Sequence, residues 1–354
     1  MGKAKVILIS LLIAAIAITI GVIPGCKTTT AETAAETTAA ATTAAETTAA
    51  ATTAAETTAA AKEKISIGHL NVYMSDTYCV GIADEIKKKA SEYKDADVEV
   101  NAVDTNLELE KELKYMEDFI TKKVDVVMIF CVATTGSYAA VKEALDAGIP
   151  VQYTNNTVVD PNGNQLKPFA GSDHYQAGQL QAEALAEVLP QNAQVVEYLG
   201  LAGQEHYQRR KLGFQETIAK LRPDIKILDQ QLGGKSREEA MAVMDAWITK
   251  YPKIDAVVSC DDDYAMGALQ ALKAAGRLEG TFIVGMDGIP EAVQAVKDGE
   301  FLMDVKQDNI AIADASFDQA IKLVQGQTPD QIGDFLVKYK LITKDNADEF
   351  MPKK

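Results

Sequence analysis

Four stretches place hydrogen-bonding side chains where the chain changes from one element to the next. They are "SCDDDYAMGALQAL" (259–272), "VGMDGIPEAVQAV" (284–296), "QRRKLGFQ" (208–215) and "MDVKQD" (303–308). Each puts a carboxylate, a guanidinium or an amide at the end of an apolar run or in the helix that follows. Carboxylates accept, Arg donates through a planar fork, and Asn or Gln does both, so such a set can ring a polar solute. Catalysis has no matching signal. "LGGKS" (232–236) ends like a phosphate-binding loop, but the first glycine of that pattern falls at Asp229. "YLGLAGQEH" (198–206) offers Gly200 and Gly203 rather than a dinucleotide fingerprint. There is no nucleophile elbow and no evident Cys–His pairing. We therefore expect no enzyme and no cofactor.

Metal is not expected either. The three histidines lack ligand spacing to one another, and Cys79, Cys131 and Cys260 are widely spaced, forming neither a zinc pair nor a disulfide framework. Asp261-Asp262-Asp263 reads as a pocket residue followed by first-turn helix acids. Cys131 and Cys260 end buried strands, and Trp247 lies in a helical apolar stripe, which assigns all three to cores. Asp173 reads as a helix cap, and His174 and His206 as solvated loop residues, with a place on the rim of the cleft as the alternative.

The elements that position these groups alternate. Strand-like runs at 64–70, 124–130, 254–260 and 281–286 are separated by helical segments. "TTGSYAAVKEALDAGIP" is a helix ended by Gly148, with Pro150 opening the next strand. Ser236 with Glu239 starts another helix, and Pro290 and Gly299 bracket a third. Strand–helix alternation builds parallel sheets covered on both faces. About ten strands exceed one ordinary sheet, so the fold class expected is α/β with two doubly wound parallel-sheet domains. Ligands then bind between them, at the carboxyl ends of the strands.

Ahead of this part, residues 1–25 carry Lys3 and Lys5 and an apolar run from Val6 to Ile23. That is the layout of a secretory signal. Ile23-Pro24-Gly25-Cys26 resembles a bacterial lipobox, with Pro24 a departure, and makes Cys26 the expected lipidation site. The alternative is an uncleaved membrane helix; either leaves the rest of the chain outside the cytoplasm. Residues 26–62 hold repeats of "ATTAAETTAA", which have no side chain able to build a core and read as a spacer. The net charge of −16 argues against nucleic acid or anionic lipid as partner.

From Lys64 to about Lys344 the chain resembles the type I periplasmic binding proteins of the ribose/galactose cluster, which deliver sugars to ABC transporters. The ordered set of strand-end motifs carries that resemblance. It implies a three-strand hinge near Gly171, Gln307 and Leu336, lobes at 63–170 with 308–335 and 171–307 with 336–354, and a monomer. It also implies a pocket. "SDTYCV" supplies Asp76 and Tyr78, with Cys79 where a second aromatic is usual. Asn155-Asn156 stands where ribose binders have Asp-Arg, which weighs against ribose itself. Arg210 matches the hydroxyl-clamping Arg, and Lys235 replaces an aromatic. Asp261, Asp287 and Gln307 complete the set.

Three carboxylates with one or two cations suit a neutral monosaccharide or polyol, and Tyr78 can cover an apolar ring face. The function expected is capture of such a solute for an ABC permease. A sensory protein of the same fold feeding a membrane kinase or chemoreceptor is the alternative.

Overall fold

The computed structural model describes residues 62–352 apart from Lys235. Cys26, the signal-like run and the repeat lie outside the described residues, as does Lys235.

The first half runs β1 (Glu63–Asn71), α1 (Thr77–Glu92), β2 (Ala96–Asp104), α2 (Leu109–Lys122), β3 (Val126–Ile129), α3 (Tyr138–Asp146), β4 (Val151–Thr154) and β5 (Phe169–Gly171). Then come α4 (His174–Val188), β6 (Gln194–Leu199), α5 (Glu205–Leu221), β7 (Lys226–Leu232), α6 (Arg237–Lys250), β8 (Ala256–Val258), α7 (Asp262–Ala274), β9 (Phe282–Val284) and α8 (Pro290–Asp298). The chain closes with β10 (Asp304–Lys306), α9 (Asn309–Val324), α10 (Pro329–Ile332), β11 (Phe335–Leu336) and β12 (Lys340–Ile342).

Two parallel sheets result, with strand orders β11-β5-β4-β3-β1-β2 and β7-β6-β8-β9. Alternate residues of a strand feed opposite cores, which is why the central runs are apolar throughout. Val126 and Met128 join α1 and α9, while Val127 and Ile129 join α2 and α3. In the second sheet Val257 faces α6, α7 and α8, and Ala256 and Val258 face α4 and α5. Both sheets are thus covered on both faces, and the expected fold class holds.

The chain passes between the sheets three times. It leaves the first sheet after Gly171 and returns after β10, which pairs with β12 and bridges to the second sheet at Asp287 and Lys306. It crosses again after Leu336, where Val337 N–H donates to Gly171 O at 2.7 Å.

Helix starts follow the sequence signals. Ser236 caps α6 by accepting from Glu239 N–H, and Gly299 ends α8 with φ 78°. Asp173 caps α4. Helices α4 and α5 touch backbone to backbone because each has a glycine at the contact. A Cβ on Gly178 would lie 1.9 Å from Arg210 O, and one on Gly213 would lie 2.0 Å from Tyr175 O.

Candidate functional site

Each helix after a strand starts at that strand's carboxyl end, so helix N-termini and strand ends converge. Between the two sheets they enclose a cavity of about 490 Å³. Its walls include Tyr73 after β1, Phe130 after β3, Asn155 after β4, Asp261 after β8 and Asp287 after β9.

A connected hydrogen-bond network forms one wall. Arg210, on α5, is 3% exposed. Its Nη1 donates to Cys260 O at 2.6 Å, and its Nη2 donates to Gln307 Oε1 at 2.6 Å and Asp287 Oδ1 at 3.3 Å. Gln307 Nε2 then donates to Asn155 Oδ1 at 2.8 Å, and Tyr78 O–H donates to the same oxygen at 3.1 Å. The network therefore ties the end of the first sheet to the second. Two members have unusual backbone for a side-chain-bearing residue, Asn155 at φ 59° and Asp287 at φ 118°. Such conformations cost free energy and persist where surrounding structure enforces them. Here the Asp287 backbone is pinned by its N–H to Val305 O at 2.9 Å.

The carboxylates differ in their surroundings. Asp76 caps α1 by accepting from Cys79 N–H at 2.8 Å. Asp261 caps α7 by accepting from Tyr264 N–H at 2.9 Å, and its other oxygen accepts from Tyr207 O–H at 3.3 Å. Burial pushes Asp76 up and Asp261 and Asp287 well up, with Arg210 pulling Asp287 back in part. Asp262 points away from the cavity and accepts from Met286 and Ile289 N–H, both at 2.9 Å. Asp263 accepts from Arg237 Nε at 2.6 Å.

Of the residues singled out in the sequence, Asp76, Tyr78, Cys79, Asn155, Arg210, Asp261 and Asp287 line the cavity. Two do not. Gln307 is fully buried behind the wall, bonded to Arg210 and Asn155. Asn156 turns the other way, and its Nδ2 donates to Cys131 O at 3.2 Å. Cys79 is buried among α1 apolar residues, and burial raises its thiol well above the ordinary value. Trp247, Cys131 and Cys260 are buried in the cores.

The histidines correct the sequence reading. His174 and His206 are 8% and 5% exposed, not solvated. His174 Nε2 lies 3.1 Å from Asn155 O and Nδ1 lies 2.8 Å from Tyr339 O–H. A carbonyl only accepts, so Nε2 carries the proton and Nδ1 accepts from Tyr339. This needs a neutral ring, and burial with the nearby Arg210 charge lowers His174 to about 3. Sequence reasoning also missed Tyr207, Tyr264 and Arg237 in the wall, where His206 stands as well, at the cleft rim that is its alternative to a solvated loop. Tyr207 stands three residues before Arg210, a helical spacing that puts both on one face and could have found it.

Residues 67–328 match the family model described as periplasmic binding protein domain. A putative rhizopine-binding protein of Rhizobium meliloti is 28% identical over 259 residues, 72% of this chain and 83% of its own length. A xylitol-binding protein of Mycolicibacterium smegmatis is 32% identical over 69% of this chain and 68% of its own. Among solved structures, an ABC transporter solute-binding protein of Bacillus halodurans with bound myo-inositol superposes with TM-score 0.74 at 28% identity. That alignment covers 82% of this chain and 97% of the other. The chain belongs to the periplasmic binding protein domain family.

Proposed function

We propose that this chain is an extracytoplasmic solute-binding protein that captures a monosaccharide or polyol in the cleft and hands it to an ABC permease. The observation that carries the reading is the Arg210–Asp287–Gln307–Asn155 network, built between two sheets and facing a cavity the size of a small solute. Hydroxyls both donate and accept, and this wall offers both functions, with Tyr78 and Tyr207 as plates for C–H faces. The xylitol-binding relative and the inositol-bound structure support the same class. The lobes we assign are 63–170 with 308–335 and 171–307 with 336–354, hinged where the chain crosses, so ligand closes the cleft.

A thermal-shift screen over sugars and polyols, followed by calorimetry, tests the reading. At least one compound should bind, and Arg210→Lys should weaken it about 10- to 100-fold, since a point charge replaces a fork. An Arg210→Lys variant that folds and binds with unchanged affinity refutes the assigned cleft. Anchoring is the second part of the proposal: lipid on Cys26 holds the protein at the outer membrane face, where it works as a monomer. Cys26→Ala should abolish metabolic labelling with a radioactive fatty acid, and persistence of label overturns it.

A further inference from the structure

The loop that puts Asp287 into the cleft wall, residues 285–289, is held from two sides. On one side β10 runs beside it: Gly285 N–H donates to Met303 O at 3.1 Å, and Asp287 N–H donates to Val305 O at 2.9 Å. On the other, Asp262 of α7 accepts from Met286 N–H through Oδ1 and from Ile289 N–H through Oδ2, both at 2.9 Å. The loop needs this grip, because Asp287 stands at φ 118°.

Between the two supports lies Asp304, on β10, which the cleft does not use. It is fully buried, and neither of its carboxyl oxygens has a hydrogen-bond partner. Asp262 is its neighbour: a Cβ added at Gly285 would lie 2.5 Å from Asp262 Oδ1 and 3.2 Å from Asp304 Oδ1. The two carboxyl groups therefore press on the same point. The nearby cations are turned elsewhere. Lys306 Nζ donates to Gly288 O at 3.1 Å, and Arg210 is bonded to Cys260, Gln307 and Asp287.

Two ionised carboxylates do not share such a place, since desolvation and mutual repulsion both favour keeping one proton. Burial pushes Asp262 well up, with Asp304 next among the causes and Asp287 after it. Burial also pushes Asp304 up, while Asp262, the Val305 and Gly288 N–H groups and Lys306 pull it back in part. The hydrogen bonds say which group holds the proton. Each oxygen of Asp262 accepts an N–H, as a carboxylate does. Asp304 accepts from nothing and has an acceptor beside it, which suits an acid.

We propose that Asp304 stays protonated at neutral pH and donates to Asp262, and that this pair holds the loop carrying Asp287, making Asp304 a positioning residue for the cleft. The pair forms without ligand; only its effect on affinity rests on the polyol-binding reading. Both groups are raised, so the grip is present while the proton stays and is lost as pH rises through the pair's raised value.

The test compares the full chain with Asp304→Asn and Asp262→Asn between pH 7 and 9.5, reading hydrogen exchange at the Met286 and Ile289 amides by NMR. Asp304→Asn keeps a donor toward Asp262 and has no proton to lose. Asp262→Asn sets an amide NH2 against a backbone N–H. At equal pH the parent should lose protection relative to Asp304→Asn by up to about tenfold per pH unit once the pair ionises. Asp262→Asn should exchange at least about tenfold faster than the parent at pH 7, the worth of one charge-assisted bond. Calorimetry with xylitol and with myo-inositol reads the cleft. The parent's affinity should fall with the fraction of molecules that keep the proton, and that of Asp304→Asn should not.

Parallel exchange in the parent and Asp304→Asn across the range overturns the inference. So does protection kept by Asp262→Asn and lost by Asp304→Asn, which would put the proton on Asp262. Exchange that follows the proton while affinity does not refutes the positioning role. The expected exchange with neither compound bound upholds the pair and counts only against the polyol reading. Asp304→Ser, another neutral donor, repeats the comparison should the Asn chain not fold, and failure of both to fold also overturns the inference.

Discussion

Replacing Gln307 with Ala removes a side chain that holds Arg210 and Asn155 together while standing behind the cavity wall. Its two bonds, at 2.6 and 2.8 Å, are fully buried, so water does not replace them. The bond to Asn155 is neutral and worth about 1 kcal/mol; the bond from the Arg210 guanidinium is charge-assisted and worth about 1.5–3 kcal/mol. Together the loss is about 2.5–4 kcal/mol of stability, or about 5–15 °C in the unfolding midpoint at ~2–4 °C per kcal/mol. Ligand affinity should suffer less. Gln307 does not line the cavity, so binding feels only the loosening of Arg210 and Asn155, a loss below about tenfold, or ~1.4 kcal/mol. Thermal unfolding by circular dichroism, with calorimetry on the best ligand from the screen, separates the two effects. A midpoint within about 2 °C of the parent combined with a hundredfold or greater affinity loss would rule out a supporting role for Gln307. It would mean that Gln307 touches ligand directly and that the network does not form.

The two asparagines should part company. Asn155→Gly, which tolerates φ 59°, should weaken binding by about 1–2 kcal/mol, whereas Asn156→Ala should lower stability and leave calorimetric affinity within twofold. Cys79 should be inert as a thiol: in the Cys26→Ser chain, reaction with a disulfide reagent at pH 8 should be slow until denaturant is added, and fast native labelling contradicts its burial. His174 sets a pH dependence. Its folded value near 3 is below the unfolded ~6.5, so its contribution is complete above pH 6.5 and is lost as pH falls toward 3. The parent's stability should therefore fall more steeply than that of His174→Asn between pH 6 and 4, by about 1.4 kcal/mol per pH unit in urea titrations. Parallel slopes would show that His174 is protonated in the fold.

The architecture was legible because both signals for it are local. Apolar runs such as Val124–Phe130 end where a cap or polar strand-end residue begins, and the period of the runs fixes which faces are covered. Strand ends also gave Asp261 and Asp287, since a doubly wound sheet points such ends into its cleft, while Arg210, inside α5, came from the family resemblance. The remainder depends on pairings distant in sequence. Nothing near His174 indicates that Tyr339, 165 positions away, meets it, so a buried linker read as a surface histidine. Asn155 and Asn156 are the same residue type side by side, and the chain turn after β4 sends only the first into the cavity. Tyr207 is legible through its helical spacing from Arg210, although it carries no charge to mark it.

The glycine contact between α4 and α5 has a consequence for how this protein can change. Gly178 lies against the backbone carbonyl of Arg210, so the outer helix layer and the ligand clamp share a single point of fit. A methyl group at 178 or 213 displaces α5 and carries the guanidinium with it. Tolerance to mutation and choice of ligand are therefore linked there: a lineage altering its ligand preference must leave this helix pair untouched, and new selectivity has to come from walls such as Asn155 and Glu238 whose backbones lie against no glycine.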